Sequence, residues 1–493
     1  MASEQEIKKV REEKCVLLES AGFSAYPESV SKDMDLKTAL VNFLQNEKTG
    51  ESFSLAGRVM VLRGQGAILF IVLKEAETIF QVVLKKDSID EEKFSLFSDT
   101  VDIGDFISVR GTFFITKRGE QSLLIQDWSM ASKSLLPLPE KWHGLQDTDE
   151  RYRKRYLEIL SDTSVYKRFV LRSKIITAIR SFFDAMDFLE IETPILKHRA
   201  GGAMAQPFET HHMDLDIPMK LRISLEIEHK MLMVGGFPAV YEIGKNFRNE
   251  GSDPTHLQEF TMMEWYAAYQ TLDDNIILTE KLLKHLMLNV VGKDEYTVYD
   301  KEGNPVLVSM SEPWQRKTFE SLLREFADID MHTVTDEMLR EKSVSLGMAK
   351  EDVIHASKAS LLDFVYKHTA RKNIIQPTFV THYPGDLKPL AIQNKDGTAQ
   401  VSQLVIAGVE ITNQYAELVD PRLQRILLER QSEARTQGDV EAMELDEEFL
   451  TAMEYGMPPM TGFGMGIDRL VGLLTEQKNL RETIFFPIMR PRE

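Results

Sequence analysis

The sequence "KNFRNEGSDPTHLQEFTMMEW", residues 245–265, combines charge and aromatic rings in an unusual way. Six ionisable side chains lie between Lys245 and Glu259, and the sequence turns apolar after Phe260. A surface loop does not need two phenylalanines, and a strand in a hydrophobic core does not tolerate this much charge. The stretch therefore predicts a strand, a loop and a second strand that together face a ligand.

The composition is typical of a globular protein. With 493 residues the chain suits about two to four domains, and its 43% hydrophobic residues supply large cores. No apolar run approaches the roughly 18 residues that a membrane span needs, and the charged N-terminus, "MASEQEIKKVREEK", lacks the apolar segment of a signal peptide. The only cysteine, Cys15, excludes an internal disulfide framework and a cysteine-rich zinc site. We therefore expect a cytoplasmic protein without a membrane partner.

The net charge of −18 bears on the kind of partner. Taken alone it argues against nucleic acid, because binding to phosphates needs local positive charge. A basic face can nevertheless exist on an acidic protein, and an acidic protein also suits a cationic small substrate. Charge alone leaves both kinds of partner open.

The N-terminal part of the chain predicts helices followed by a small barrel. Residues 3–20 have the pattern of an amphipathic helix, and we assign residues 1–52 to an N-terminal helical segment. Residues 53–128 contain short β-rich runs separated by glycine or charged turns, with one helical insert near residues 87–98. Five such strands suit a barrel of the OB type, which we place at residues 53–145. The strands alone fit a barrel without a ligand equally well.

The remainder of the chain alternates strands with long helices. A proline-rich and then charged connector at residues 135–160 leads to a periodic helix at residues 166–188, which is followed by a strand ending near Pro194. We assign residues 146–493 to one α+β domain. It contains a largely helical insertion at about residues 315–375, where little suggests chemistry.

A second chemical signal lies near the C-terminus, in "GFGMGIDRLVGLLTEQ", residues 462–477. Glycine at 462, 464 and 466 allows the backbone to approach a ligand closely, and Arg469 lies at the start of the following helix. Arginine binds phosphate through two hydrogen bonds, and the face of phenylalanine suits a purine ring. A single arginine beside a glutamate is usually only a surface ion pair. The signals at Arg248, Phe260 and Arg469 together favour a nucleotide site.

These stretches resemble the class II aminoacyl-tRNA synthetases, and within them the bacterial type of lysyl-tRNA synthetase. "FRNEG…HLQEFTMMEWY" is similar to motif 2 of that family, "GMGIDRLVGLLT" to motif 3, and the helix ending in "FLEIETPIL" to motif 1. Further matches are "GGAMAQPFETHH", "VGGFPAVYEIG", "EITNQYAEL" and "EYGMPP". The resemblance implies an antiparallel-sheet catalytic domain behind an N-terminal five-stranded OB-fold barrel that binds the anticodon. It also implies a homodimer, with ATP, L-lysine and tRNA(Lys) as substrates.

The resemblance also assigns residues to ATP and to Mg²⁺. Arg248 would contact the α-phosphate, Glu250 the adenine amino group, and Phe260 the adenine ring. The implied ATP-binding residues are Arg248, Glu250, His256, Phe260, Glu410, Gly464 and Arg469, and the implied catalytic residues are Arg248 and Arg469. Glu410 would bind Mg²⁺, with Gln403 where the family has a second acidic ligand. A neutral amide binds Mg²⁺ more weakly than a carboxylate does, so the number of ions stays open.

Two further sets of residues follow from the resemblance. The implied lysine-binding residues are Gly202, Glu226, Glu264, Tyr266, Asn413, Tyr415 and Glu417. A buried carboxylate must be paired, and we expect the substrate ammonium to supply the pair. The implied anticodon-binding residues are Phe70, Gln81 and Glu120, since an aromatic face with hydrogen-bonding groups suits splayed bases. Alternatively, Phe70 is a core residue and Glu120 only a turn residue.

The implied activity is the ligation of lysine to tRNA(Lys) through lysyl-adenylate, and three alternatives stay open. The first is a related enzyme that modifies a protein such as elongation factor P, which the barrel at residues 53–128 disfavours. The second is a non-catalytic RNA-binding module, which Gln403 favours. The third is an enzyme for aspartate or asparagine. The carboxylates of Glu226 and Glu417 would repel those substrates.

Overall fold

The computed structural model describes residues 3–64, 66–139, 147–251, 253–300, 303–436 and 443–492. The chain divides into two compact units, Met1–Lys167 with Met489–Glu493, and Arg168–Ile488. The predicted domain boundary at residue 145 lies outside the described residues, so the predicted domain limits stay a prediction. None of the described helices combines the length and the apolar character that crossing a membrane requires.

The first unit contains a closed barrel of five strands in the order β1-β2-β3-β5-β4. The strands are β1 Ser52–Arg63, β2 Ile68–Glu75, β3 Thr78–Lys85, β4 Phe106–Ile115 and β5 Gln121–Ser132. Successive side chains of a strand point to opposite faces, so Leu69, Ile71 and Leu73 fill the interior while Phe70 lies outside. The predicted five-stranded barrel is confirmed.

Short helices accompany the barrel. They are α1 Glu4–Ser20, α2 Leu36–Val41, α3 Phe43–Thr49, α4 Glu91–Thr100, α5 Thr148–Arg153 and α6 Arg155–Ser161. Helix α1 begins where the sequence predicts, because Ser3 and Glu6 cap it reciprocally: each side chain accepts a hydrogen bond from the backbone N–H of the other. Helix α4 is the helical insert of the barrel, a few residues later than predicted.

A buried ion-pair cluster stabilises the first unit. The Lys133 ammonium is inaccessible to solvent and lies 2.6 Å from Oδ2 of Asp102 and 2.7 Å from Oδ2 of Asp105. Asp105 is itself fully buried. Since a buried carboxylate without a counter-ion is costly, Lys133 makes the burial of Asp105 tolerable.

Replacing Lys133 tests this role. We expect Lys133→Met to lower the free energy of unfolding of the first unit by about 3–5 kcal/mol, because Asp105 would remain buried without a cation. Denaturant unfolding followed by circular dichroism measures the change. The matched control is Lys86→Met, which breaks the exposed Lys86–Glu91 pair and should cost less than about 1 kcal/mol. Similar losses in both variants would contradict the assignment.

The second unit is built on an eight-stranded sheet in the order β14-β15-β16-β17-β18-β11-β10-β6. Its strands are β6 Leu189–Glu190, β10 Ala239–Phe247, β11 Glu259–Ala268, β14 Gln315–Thr318, β15 Thr378–Pro384, β16 Thr398–Ile406, β17 Val409–Ala416 and β18 Met460–Gly466. The six central strands are antiparallel, and the two edge strands pair in parallel. The expected α+β class with an antiparallel catalytic sheet is confirmed.

Smaller strands and the helices surround this sheet. The other strands are β7 Leu196–Lys197, β8 Glu209–His212, β9 Ile217–Leu221, β12 Glu295–Tyr299 and β13 Pro305–Ser309. The helices are α7 Thr163–Asp184, α8 Glu226–Val234, α9 Leu272–Leu286, α10 Phe319–Ala327, α11 Asp336–Ser345, α12 Lys350–His355, α13 Lys358–His368, α14 Pro421–Thr436, α15 Glu447–Glu454 and α16 Ile467–Leu474. Helices α10 to α13 occupy most of residues 315–375, and β14 joins the start of this segment to the sheet.

The predicted strand before Pro194 is shorter than expected. Leu189 and Glu190 pair with Val240 and Tyr241 of β10, and the N–H of Ile191 donates to the carbonyl of Tyr241 at 2.9 Å. The N–H and the hydroxyl of Thr193 instead donate to Oε2 of Glu242, at 3.1 and 2.7 Å. Proline has no N–H to donate, so the ladder cannot continue through Pro194.

One face of the central sheet forms the main hydrophobic core. Trp265 of β11 stacks on Phe463 of β18, with ring centroids 3.3 Å apart and planes inclined by 11°. Phe183 of α7 and Leu282 of α9 pack in the same core. Because side chains alternate along a strand, the neighbours of Trp265 and Phe463 point to the opposite face. That face carries the polar residues.

Candidate active site

A cavity of about 600 Å³ opens on the polar face of the central sheet. Every residue that the sequence assigns to ATP, lysine or the metal lines it: Gly202, Glu226, Arg248, Glu250, His256, Phe260, Glu264, Tyr266, Gln403, Glu410, Asn413, Tyr415, Glu417, Gly464 and Arg469. The fold thus brings together residues far apart in sequence. Their roles remain predictions.

The glycines of β18 make room for the cavity. Gly462, Gly464 and Gly466 lie opposite Tyr266, Glu264 and Met262 of β11. A β-carbon at 462 would overlap the Glu417 carboxylate and lie 2.5 Å from Cε1 of Tyr266. The alternation of glycine with Phe463 and Met465 therefore separates an open cavity face from a filled core face.

Three carboxylates form an acidic end of the cavity. Glu226 begins α8, Glu264 lies on β11 and Glu417 follows β17, and all three are buried. Oε1 of Glu264 accepts from the N–H of Leu225 at 3.1 Å, and Oε2 accepts from the Tyr266 hydroxyl at 3.2 Å. These hydrogen bonds hold one carboxylate in place while the other two face a cation.

That cation is Lys230, which the sequence reasoning missed. Its ammonium is fully buried and lies 2.6 Å from Oε1 of Glu226 and 2.6 Å from Oε2 of Glu417. We expected the substrate ammonium to supply the pair, and the structure shows that Lys230 already supplies one from within the protein. Lys230 lies four residues after Glu226 on α8, a spacing that puts the two side chains on one face and was the signal available in the sequence.

The buried acidic end perturbs the pKa values of Glu264, Glu417 and Lys230. Burial raises the pKa of Glu264 above its ordinary value. Burial also raises the pKa of Glu417 to about 8, although the Lys230 ammonium opposes the shift. Burial lowers the pKa of Lys230, but Glu226 and Glu417 outweigh it and the net shift is upward. One carboxyl therefore keeps a proton at neutral pH while Lys230 stays charged.

The opposite end of the cavity is basic. The Arg248 guanidinium lies 5.2 Å from the centre of the Phe260 ring, and its Nε approaches the carbonyl of Ile223 at 3.4 Å. Arg469 donates from Nη1 to the carbonyl of Glu410 at 3.2 Å. Within the described part of the chain neither guanidinium forms an ion pair. Both are therefore available to an anion beside an aromatic face.

Glu250 and His256 lie at the exposed rim of this basic end. The imidazole of His256 lies 2.7 Å from Oδ2 of Asp253, which orients the ring. Such a rim suits the outer parts of a bound nucleotide, where solvent still has access.

The two predicted metal ligands lie on the neighbouring strands β16 and β17. Gln403 pairs with Asn413 across the strands, and its Nε2 lies 3.4 Å from Oδ1 of Asn413. The Asn413 amide in turn donates to the Tyr415 hydroxyl at 3.0 Å. Nowhere in the described ranges do three His, Cys, Asp or Glu residues cluster as a metal site. An ion beside Glu410 would need oxygen atoms from a bound substrate.

The helical insertion also reaches the cavity, although little in its sequence suggests chemistry. Its contributing residues are Ser360, Asp363, Tyr366, Lys367 and Arg371. The Lys367 ammonium is paired with Asp363 at 2.6 Å. Sequence periodicity placed these residues on helices but did not show which surface the helices face.

The predicted anticodon residues lie in the first unit, on strands β2 and β3 and in the turn before β5. Phe70 is 40% exposed on the outer face of β2, so it is not a core residue. Gln81 lies diagonally across from it on β3 and donates from Nε2 to the Ser122 hydroxyl at 2.8 Å. Glu120 is exposed in the turn before β5. The outer face thus presents a ring and hydrogen-bonding groups together.

Known proteins match both parts of the chain. Residues 147–490 match the family of class II tRNA synthetases (D, K and N), and residues 53–131 match the OB-fold nucleic acid binding domain. The chain therefore belongs to the class II tRNA synthetases.

Its relatives define the group more narrowly. A lysine–tRNA ligase of Prochlorococcus marinus (strain MIT 9312) is 40% identical over 99% of this chain and 96% of its own length. The lysine–tRNA ligase of Moorella thermoacetica is 40% identical over 100% of this chain and 99% of its own. The lysine–tRNA ligase of Aquifex aeolicus is 39% identical over 94% of this chain and 80% of its own length.

The raised pKa of Glu417 predicts a pH-dependent stability. Between the ordinary pKa of a glutamate and about 8 the folded state binds more protons than the unfolded state, so stability falls as pH rises. This one group contributes a slope of at most about 1.4 kcal/mol per pH unit. We expect Glu417→Gln to remove that slope in denaturant unfolding between pH 5.5 and 8.

The control for this measurement is Glu454→Gln, which alters an exposed glutamate of α15. It should leave the pH dependence of unfolding unchanged. If Glu417→Gln and the native protein lose stability at the same rate with pH, the raised pKa is wrong.

Proposed function

We propose that this protein is a lysine–tRNA ligase, which joins L-lysine to tRNA(Lys) at the expense of ATP. The observation that carries the proposal is one cavity with two opposite ends. Its acidic end holds Glu226, Glu264 and Glu417, and its basic end holds Arg248 and Arg469. A lysine with its ammonium at one end and ATP with its phosphates at the other would meet between them.

The acidic end selects the amino acid. The substrate ammonium would join Lys230 at the acidic end, where the three carboxyl groups of Glu226, Glu264 and Glu417 outnumber the Lys230 ammonium and the retained proton. Tyr266, Asn413 and Tyr415 would shape the site around the aliphatic chain, and Gly202 would leave room for it. A β-carbon at Gly202 would approach Oγ of Ser224 to 2.8 Å. An aspartate side chain would instead be repelled by the carboxylates.

The basic end binds the nucleotide. Phe260 would stack on the adenine ring, Glu250 would accept from its amino group, and Arg248 would hold the α-phosphate. Arginine suits this task because its planar fork donates two parallel hydrogen bonds to a phosphate. His256, Gly464 and Arg469 would complete the site around the outer phosphates and the ring.

The reaction needs no nucleophile from the protein. A carboxylate oxygen of lysine attacks the α-phosphorus in line, the bond to the β-phosphate oxygen breaks, and pyrophosphate leaves. Arg248 and Arg469 are the catalytic residues, because they neutralise charge that develops on the phosphates. The hydroxyl of the terminal adenosine of tRNA then attacks the carbonyl carbon of the adenylate, and AMP leaves. Catalysis is mostly positioning, so the lack of a general base is no objection.

Class II synthetases work with ATP and a divalent metal ion, and we propose Mg²⁺ here. Glu410 and the amide oxygen of Gln403 fit it, since Mg²⁺ is usually bound by one or two carboxylates together with substrate phosphates. When bound, Mg²⁺ would neutralise phosphate charge. Because Gln403 is neutral, Glu410 is the stronger ligand of the two.

The remaining parts of the proposal concern partners and location. The barrel would bind the anticodon through Phe70, Gln81 and Glu120. A homodimer is supported by the motif 1 segment, which exposes Met186, Leu189, Ile195 and Leu196. We place the reaction in the cytoplasm, with residues 53–145 as the anticodon domain and residues 146–493 as the catalytic domain.

Lysine-dependent exchange of labelled pyrophosphate into ATP tests the activity. Among the twenty amino acids, we expect lysine to support exchange best. Glu417→Gln should raise the KM for lysine about 30- to 150-fold, because a hydrogen bond to a charged group contributes about 2–3 kcal/mol. The KM for ATP should change little.

Glu454→Gln, outside the cavity, serves as the control and should behave like the native protein. Unchanged lysine kinetics in Glu417→Gln would disprove the pocket assignment. Exchange that depends on another amino acid, or transfer of lysine to a protein instead of tRNA, would disprove the proposed activity.

The anticodon assignment predicts a separate effect. Phe70→Ala should raise the KM for tRNA(Lys) about 5- to 150-fold, since stacking on one base contributes about 1–3 kcal/mol. Pyrophosphate exchange needs no tRNA and should not change. Phe106→Ala removes a phenylalanine of similar exposure, 38%, from β4 and is the matched control. Equal effects of the two changes on aminoacylation would contradict the assignment.

A further inference from the structure

Arg371 stands out as a cationic side chain for which the described part of the chain offers no partner. It begins the single-turn helix Arg371–Asn373, directly after α13, and it lines the cavity. Its Nε is buried and has no hydrogen-bond partner, and its guanidinium forms no ion pair within the described ranges. The side chain as a whole is half-buried, but a buried N–H donor without a partner is costly, so the Nε in the cavity wall points to a ligand.

Backbone contacts fix where Arg371 lies in the cavity. The N–H groups of Ala407 and Gly408 donate to the carbonyls of Ile375 and Ile374, at 2.9 and 2.8 Å. These bonds hold the turn after Arg371 against the hairpin between β16 and β17. Glu410 follows two residues after Gly408, so Arg371 lies on the side of the cavity that carries Glu410.

The electrostatics of Tyr366 agree with this position. Burial raises the pKa of Tyr366, and among the nearby charges Arg371 lowers it while Glu410 raises it. Both charged groups therefore act on the same phenol. They lie close to it without forming an ion pair with each other.

The surrounding acids do not neutralise Arg371. Asp363 is paired with Lys367 at 2.6 Å, and Asp468 is paired with Arg172 at 2.7 Å. Gln403, on the strand beside Glu410, is neutral. As far as the structure describes the chain, the guanidinium groups of Arg248, Arg371 and Arg469 at this end of the cavity therefore lack carboxylate partners.

We propose that Arg371 binds the β- and γ-phosphates of ATP and the pyrophosphate that leaves. This inference rests on the proposed function, in which the same cavity binds ATP. The planar guanidinium of Arg371 neutralises phosphate charge. It does so where Gln403, a neutral amide, provides no carboxylate to bind a metal ion. It acts on the leaving group, whereas Arg248 acts on the phosphorus that is attacked.

Binding of inorganic pyrophosphate to the full chain, measured by calorimetry with and without Mg²⁺, tests the proposal. Arg371→Gln should weaken pyrophosphate binding about 10- to 100-fold, and the loss should be larger without Mg²⁺. Binding of AMP and the KM for lysine should not change, because neither ligand has a β-phosphate. Arg371→Lys keeps the charge without the fork and should recover part of the affinity.

The matched control is Lys372→Gln, which removes the same charge from an exposed position one residue away. It should leave pyrophosphate affinity unchanged. Equal pyrophosphate affinity in Arg371→Gln and the native chain would overturn the proposal. Equal affinity together with a raised KM for tRNA would instead assign Arg371 to the tRNA acceptor end, which also overturns it.

The two proposals can fail separately. If Arg371→Gln loses pyrophosphate affinity but the native protein shows no lysine-dependent exchange, the phosphate role of Arg371 is supported and the ligase activity is not. If exchange depends on lysine while pyrophosphate binding ignores Arg371, the ligase activity stands and the role of Arg371 falls.

Discussion

The two-residue period of strands β11 and β18 is the constraint on which the rest of the second unit depends. One set of alternating residues, with Trp265 stacked on Phe463, fills the hydrophobic core. The other set, with Glu264 opposite Gly464, forms the floor of the cavity. A shift of register by one residue would bury the carboxylate in the core and expose the rings. The packing of the core therefore holds the reactive groups in position.

The cavity separates opposite charges within about 600 Å³. Two of its carboxylates pair with Lys230, and Arg248 and Arg469, which form no ion pair with any described residue, lie beside Phe260 and Glu410. Such a separation is unfavourable for the protein alone, since Lys230 compensates the acidic end only in part and the arginines form no ion pair among the described residues. It suits a pair of ligands that bring an ammonium and a polyphosphate, and it orients them so that the amino acid carboxylate meets the α-phosphate.

Much of the fold and of the candidate site could be predicted from the sequence, for physical reasons that particular residues illustrate. The barrel strands, the β10–β11 hairpin and the residues from Arg248 to Phe260 have local patterns that directly encode their structure. Lys230 was missed because its role depends on Glu417, which is distant in sequence. Arg371 was missed because helical periodicity does not show which neighbouring element the segment contacts. The surroundings of both residues are set by the packing of segments that are distant in sequence.

Lys230 also bears on how the acidic end survives without a substrate. Breaking a buried ion pair costs about 3–5 kcal/mol, and a whole domain is stable by only about 5–15 kcal/mol. If the substrate were the sole counter-ion of Glu226 and Glu417, the folded state would depend on the concentration of lysine. The Lys230 ammonium and the proton that the raised pKa of Glu417 retains make the folded state much less dependent on the concentration of lysine. The negative charge that remains on the carboxylates is enough to attract one further ammonium. Lys230 therefore stabilises the fold, while the remaining negative charge recognises the substrate.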